Sequence, residues 1–310
     1  MTRALVFPGQ GAQAIGMGKA LADAYPDAKA IFDEVDEALG EKLSQMIWDG
    51  DAETLTLTQN AQPALMATSL AAMRALEAEG LGLEHAAFVA GHSLGEYSAL
   101  AAAGALAIAD TARLLRTRGL AMQQAVPVGV GAMAAVLGLD FEAVKEVAFE
   151  AAADGEVVQA ANDNDPGQVV VSGHKAAVER ACEIAKAKGA KRAVLLPVSA
   201  PFHCVLMEPA AKVMAEALET VEILTPTVPL VANVRAAAVT DPALIRSLLV
   251  EQVTGSVRWR ESVGYMAQNG VTEIFEVGAG KALSGMIRRI EKSIACSAVG
   301  TPDDIAKLKG

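Results

Sequence analysis

The chain has 310 residues, a length that suits about two domains or one large one. Apolar residues make up 52% and charged residues only 20%, with a mean hydropathy of +0.31, which excludes a disordered chain because such chains lack apolar surface to bury. A net charge of −11 without a long basic run argues against nucleic-acid binding, since a phosphate backbone would be repelled.

The first apolar strand, Ala4–Phe7, meets Pro8-Gly9 before any signal-peptide hydrophobic region could develop, so a cytoplasmic location is expected. A helix is predicted from Pro63 to Gly80, a strand over Ala87–Ala90 and a helix over Asp110–Gln124. The near-apolar run Tyr97–Ala109 is too short to span a bilayer, which takes about 20 apolar residues, and no membrane association is expected. The rhythm changes between Val128 and Leu196. Strand Gly131–Leu137, helix Asp140–Ala153, strands Val157–Asn162 and Gln168–Gly173, helix Lys175–Lys188 and strand Lys191–Leu195 give βαββαβ, the ferredoxin-like split unit. Helices Met207–Thr220 and Pro242–Val253 and strands Val228–Val231 and Thr272–Val277 follow.

The outer strands are apolar throughout, as in a parallel sheet buried on both faces. The expected fold is therefore α/β: a large domain with a mostly parallel sheet, formed by residues 1–127 and 198–310, carrying an inserted ferredoxin-like domain of residues 128–197. Pro127-Val128-Gly129 and the Pro197 to Pro201 stretch are the joints. Cys182, Cys204 and Cys296 are odd in number and widely spaced, so they predict neither a disulfide framework nor a zinc site, and no metal is expected.

Gly91-His92-Ser93-Leu94-Gly95 lies between a predicted strand and a predicted helix. It matches G-x-S-x-G, the nucleophile elbow, in which two glycines permit a turn sharp enough to expose the serine hydroxyl. The following helix would aim its free N–H groups at the spot where an oxyanion forms. The plain alternative is an ordinary glycine-rich βα turn. A serine hydroxyl needs a base within reach. Of four histidines, His85 reads as a solvated loop residue, His92 as a structural hydrogen-bonding neighbour of Ser93, and His174 as a helix-entry residue. His203, in the proline-bracketed loop Pro197 to Cys204, is the best candidate base. It precedes a long C-terminal stretch, whereas the histidine of ordinary α/β-hydrolases comes last and follows an acid. Its partner therefore either comes later in the chain or is not a carboxylate. In the loop Phe7 to Gln13, glycines flank Gln10, whose N–H could complement that of Leu94 as an oxyanion donor. The same loop lacks the rest of a dinucleotide fingerprint, and Gly280-Lys281 lacks the rest of a phosphate-binding loop.

Taken together, Phe7 to Gln13, Gly91 to Tyr97, Arg116 to Gly119 with Met122-Gln123, Gly131 to Ala135, Asn162 to His174, Pro197 to Cys204, Asn233-Val234, and Gln252-Val253 before Val257 to Trp259 resemble the malonyl-CoA:acyl carrier protein transacylase family. The matches span nearly the whole chain in order. The resemblance implies a hydrolase-like large domain and a ping-pong reaction in which Ser93 attacks the malonyl thioester with His203 as base, coenzyme A leaves, and the thiol of acyl carrier protein collects the acyl group. It implies N–H groups of Gln10 and Leu94 as the oxyanion hole, the main-chain carbonyl of Gln252 as the group orienting His203, His92 in a supporting position and Asn162 in the substrate channel. It assigns Arg118 to the malonyl carboxylate, which a guanidinium can hold through two parallel hydrogen bonds. An acetyl group would leave that cation desolvated and unpaired.

Malonyl-CoA is a substrate in this scheme and no cofactor is expected. A monomer is expected. Phe202, Met122 and Met133 are candidates for an apolar lining that excludes water. Acyl carrier protein is acidic, so it needs a local basic patch, with Arg288-Arg289-Lys292 and Lys186-Lys188-Lys191-Arg192 as candidates. Alternatives are a serine thioesterase or hydrolase using the same Ser93 and His203, a silent carrier-protein-binding module, and an acyltransferase of a polyketide or malonate-decarboxylase pathway. A chain of this length without fused synthase domains favours fatty-acid synthesis.

Overall fold

The computed structural model describes residues 2–153, 155–198 and 200–309. Its strands are β1 (Arg3–Phe7), β2 (Ala86–Gly91), β3 (Gly131–Leu137), β4 (Val158–Asp165), β5 (Gln168–His174), β6 (Arg192–Leu195), β7 (Leu230–Ala232), β8 (Ala237–Val239), β9 (Glu273–Val277) and β10 (Ala295–Val299). They form two sheets. The larger has the order β10-β9-β1-β2-β7-β8, parallel except for the β7–β8 pair, and the smaller is antiparallel with the order β4-β5-β3-β6. β1 is central and apolar: Ala4, Leu5, Val6 and Phe7 are all fully buried, because helices cover both faces of the sheet. One face contributes Leu5 and Phe7 to the main core, and the other contributes Ala4 and Val6 to a second cluster with Val231, Trp259 and Ile274.

The small sheet is the expected βαββαβ unit, with helices Phe141–Ala151 and Lys175–Ala187 laid on one face over a separate core that includes Val136, Val144, Val171 and Val178. Asp140 caps the first of these helices by accepting the N–H of Ala143 at 2.8 Å. β4 joins this sheet to helices that flank the larger one. Asp163 and Asp165 are buried and pair with Arg260 (2.8 Å) and Arg289 (2.7 Å), while Asn162 and Asn164 line the cleft between the sheets.

Several elements differ from the sequence reading. β8 and β10 were not foreseen. The strand expected at Val228–Val231 is β7, displaced to Leu230–Ala232. The helix expected to begin at Pro63 begins at Thr58, with Pro63 inside it. Proline favours the first helical position, because it lacks the N–H and clashes with the preceding turn, yet here packing of a helix buried along most of its length overrides that preference. The shift matters because it places Thr58 and Gln62 on one helical turn, with Gln62 lining the cleft. Among the described residues, no helix is long and apolar enough to cross a membrane, and no group of three or more His, Cys, Asp or Glu side chains could hold a metal ion.

Candidate active site

A cleft of about 530 Å³ opens between the sheets, and Ser93 and His203 meet in it. Ser93 ends the turn after β2 with φ of +53°, and His203 stands in its loop with φ of +59°. Left-handed backbone is costly for residues with a Cβ, and such strain gathers where a side chain must be aimed. Close approach explains the glycines around Ser93. A Cβ on Gly91 would lie 1.9 Å from the carbonyl carbon of Gly95, and one on Gly95 would lie 2.2 Å from the carbonyl oxygen of Phe7. Only glycine lets the turn close so tightly against β1.

The side chains connect in order. His203 Nδ1–H donates to the main-chain carbonyl of Gln252 at 2.8 Å. That carbonyl only accepts, so the proton sits on Nδ1 and the lone pair of Nε2 faces Ser93 Oγ at 2.7 Å. Ser93 N–H donates to Asn233 Oδ1 at 2.8 Å, which pins the turn from behind. No protein atom among the described residues takes up the N–H groups of Gln10 and Leu94, and both residues line the cleft beside Ser93. The helix Gly95–Ala102 begins at the same place and directs its positive end there.

Arg118 comes from the helix Ile108–Gln124 and is buried, at 1% exposure. Its Nη1 donates to Gln62 Oε1 at 2.8 Å, and its Nη2 donates to Gln252 Oε1 at 2.9 Å and to Ser93 Oγ at 3.2 Å. Its Nε has no hydrogen-bond partner among the described residues. Every one of these acceptors is neutral. A buried guanidinium is costly to desolvate without an anion in direct contact, so the arrangement is suited to receive one next to the serine.

The family model for the acyl transferase domain matches residues 4–296. The malonyl CoA-acyl carrier protein transacylase of Bacillus subtilis (strain 168) is 49% identical over 97% of this chain and 94% of that protein.

The chain belongs to this family of acyltransferases.

The solved acyl-carrier-protein-S-malonyltransferase of Bartonella henselae is 56% identical, covers 99% of this chain and 98% of that one, and superposes with a TM-score of 0.97. A malonyl-transacylase solved in complex with its type II polyketide-synthase acyl-carrier protein is 42% identical over 99% of this chain and 98% of that one, with a TM-score of 0.96.

In this acyltransferase the electrostatics follow from burial. His203 is pushed down to about 3, first by desolvation and then by the nearby charge of Arg118, so its ring is neutral around pH 7. His92 is lowered by burial as well. Glu96 is raised to about 7 by desolvation, against the opposing hydrogen bonds from Gln252 and Asn233 and the charge of Arg118.

The remaining sequence candidates find varied places. His92 Nε2–H donates to Asn164 Oδ1 at 2.8 Å, and both residues line the cleft. Asn162 is buried and lines the cleft, as do Met122, Met133 and Phe202. Ser199 of the Pro197 to Cys204 loop lies outside the described residues. His85 is exposed in a short 3-10 turn. His174 precedes its helix but does not cap it; Nδ1 accepts the N–H of Val157 at 2.9 Å. In the basic clusters, Arg289 pairs with Asp165, Lys186 with Glu183, and Lys188 with Glu150, so each of the three is already engaged.

Four residues escaped the sequence reading as site residues: Thr58, Gln62, Glu96 and Asn233. Gln10 Oε1 accepts from Thr58 Oγ1 at 2.9 Å, and Thr58 Oγ1 accepts from Gln62 Nε2 at 2.9 Å, so one helical turn ties the Gln10 loop to the partner of Arg118. Glu96 carried a readable signal. It is the single charged residue in a run that is otherwise apolar or small through Ala103, and a carboxyl group there must be buried with partners.

Proposed function

We propose that this acyltransferase moves a malonyl group from malonyl-CoA to the phosphopantetheine thiol of acyl carrier protein through an ester on Ser93, supplying fatty-acid chain elongation. The observation that carries the reading is the buried Arg118 guanidinium, 3.2 Å from Ser93 Oγ and hydrogen-bonded only to neutral acceptors. A carboxylate at the far end of the acyl group supplies the missing anion. The names of the relatives and the carrier-protein complex among the solved structures support the same donor and acceptor.

In the first half-reaction His203 Nε2 takes the Ser93 proton as Oγ attacks the thioester carbonyl. The N–H groups of Gln10 and Leu94 hold the oxyanion. The tetrahedral intermediate collapses with cleavage of the C–S bond, and the proton on His203 passes to the departing coenzyme A sulfur. In the second half His203 takes the proton of the carrier thiol, the sulfur attacks the Ser93 ester, the C–O bond breaks, and the proton returns to Oγ. The acyl donor brings its own activation, so the scheme needs neither metal nor bound cofactor. Acyl carrier protein approaches along the helix Ala282–Ile290, whose first turns line the cleft and whose last turn carries Arg288. Arg288→Glu should raise KM for carrier protein and leave acylation by malonyl-CoA unchanged.

The test is intact mass after brief exposure to malonyl-CoA and, separately, acetyl-CoA. A malonyl-sized adduct that needs Ser93, is much weaker with acetyl-CoA and is discharged by carrier protein is expected. An adduct that persists in Ser93→Ala, or none on folded wild type, overturns the scheme. Loss of the adduct to water as fast as to carrier thiol would make the protein a thioesterase.

A further inference from the structure

The helix that follows Ser93 sends Glu96 inward, where it is 1% exposed. Its Oε2 accepts from Gln252 Nε2 at 2.6 Å and from the main-chain N–H of Asn233 at 3.2 Å. The Gln252 amide has two chemically different ends, and its surroundings sort them. Nε2 faces acceptors: Glu96, the carbonyl of Ser93 at 3.0 Å and Asn233 Oδ1 at 3.3 Å. Oε1 faces the donor Nη2 of Arg118. Glu96 makes the shortest of these contacts, and a carboxyl oxygen accepts whether the group is ionised or not.

Gln252 therefore carries two tasks on one residue. Its main-chain carbonyl holds His203, and its side chain holds Arg118. A rotation of the amide would place N–H against N–H at Arg118 and would strand a buried donor. We propose that Glu96 is a positioning residue for acyl selection: its carboxyl oxygen locks the Gln252 side chain in the orientation that steadies Arg118 beside Ser93. This rests on the reading of Arg118 as the group that holds the malonyl carboxylate. Glu96 touches no reacting atom and reaches Arg118 through Gln252, while its second contact, from the N–H of Asn233, supports the Ser93 turn and leaves Arg118 aside.

The experiment measures kcat/KM for Ser93 acylation by malonyl-CoA and by acetyl-CoA in wild type, Glu96→Leu, Glu96→Gln, Arg118→Ala and the Arg118→Ala/Glu96→Leu double variant. Glu96→Gln keeps an acceptor oxygen and removes the charge, whereas Glu96→Leu removes both at similar volume, so their comparison isolates the acceptor. The malonyl-to-acetyl ratio is expected to be about tenfold lower in Glu96→Leu than in Glu96→Gln, and the further loss is expected to vanish once Arg118 is alanine, as for two residues in one network. A purely structural role would lower the melting temperature and leave the ratio alone. Equal ratios in the two single variants, or a loss that persists without Arg118, overturn the proposal. If Glu96→Leu does not fold, Glu96→Asp replaces it, since it withdraws the oxygen from Gln252 by one methylene; a ratio unchanged from wild type then overturns the proposal. An Arg118→Ala enzyme that keeps the full malonyl preference refutes the reading of Arg118 itself, a different result from failure of the Glu96 arm.

Discussion

The two ends of the cleft are built in different ways. At the Ser93 end, geometry comes from the main chain: two glycines too close to other backbone to carry a Cβ, two residues at positive φ, a helix start and a carbonyl on His203. At the Arg118 end, geometry comes from side chains reaching in from separated segments: Gln62 and Gln252 each hold Arg118, and Glu96 holds Gln252. Under the proposed function, backbone placement would make the reactive end indifferent to which acyl group arrives. Under the proposed function, side-chain placement would make the other end selective, because an interaction network can reward one carboxylate and leave a buried cation stranded without it.

Substitutions at each end should separate rate from selectivity. Ser93→Ala is expected to have the largest effect, a fall in transfer of about 10⁴-fold or more with loss of the acyl-enzyme seen by intact mass. Arg118→Ala should cut the malonyl-to-acetyl ratio of kcat/KM by about 10³-fold, since the wild-type site leaves a buried charge unpaired when acetyl binds. The same variant should move the acid limb of the pH–rate profile upward, because the charge of Arg118 helps to hold His203 low. Gly95→Ala should do the reverse. It should lower kcat for both acyl groups together by about 10²-fold through misplacement of Ser93, and leave their ratio in place. A ratio that changes with Gly95 would break the division between the two ends.

The smallest expected effect is in stability against pH. Glu96 has its pKa raised to about 7 from an ordinary 4.5, so its contribution is fully present below pH 4.5 and is lost as pH rises through 7. His203, lowered to about 3 from 6.5, acts oppositely: its contribution is present above pH 6.5 and is lost as pH falls toward 3. Melting temperatures of Glu96→Gln and wild type, measured from pH 4.5 to 8, should therefore diverge in favour of the variant as pH rises and then run parallel above about 7. Parallel curves throughout would show that Glu96 is not held protonated by its surroundings.

The same division decides what could be read from the sequence. The elbow was legible because glycine on both sides of Ser93 is a local requirement of the turn, and the βαββαβ unit because its strands and helices alternate within one continuous segment. His203 was legible through its proline-bracketed loop. Arg118 looked like any helix arginine until the family resemblance entered, because nothing local says that Ile108–Gln124 faces the cleft. Gln62 was hidden by Pro63, which reads as a helix start and left Thr58 and Gln62 outside the helix that positions them. The side-chain role of Gln252 depends on Arg118 and Glu96, which lie 134 and 156 residues away in the chain, so no local pattern could reveal it.

The alternation along β4 has a mechanical consequence. Asn162 and Asn164 line the cleft, while Asp163 and Asp165 grip Arg260 and Arg289 on helices of the larger unit. A hinge motion that swung the small sheet outward would have to pull two buried carboxyl groups away from their cations. The jaw is therefore clamped by the same strand that forms its inner wall. Whatever enters the cleft therefore meets a mouth whose width is held by two ion pairs and not by a lid that opens and shuts.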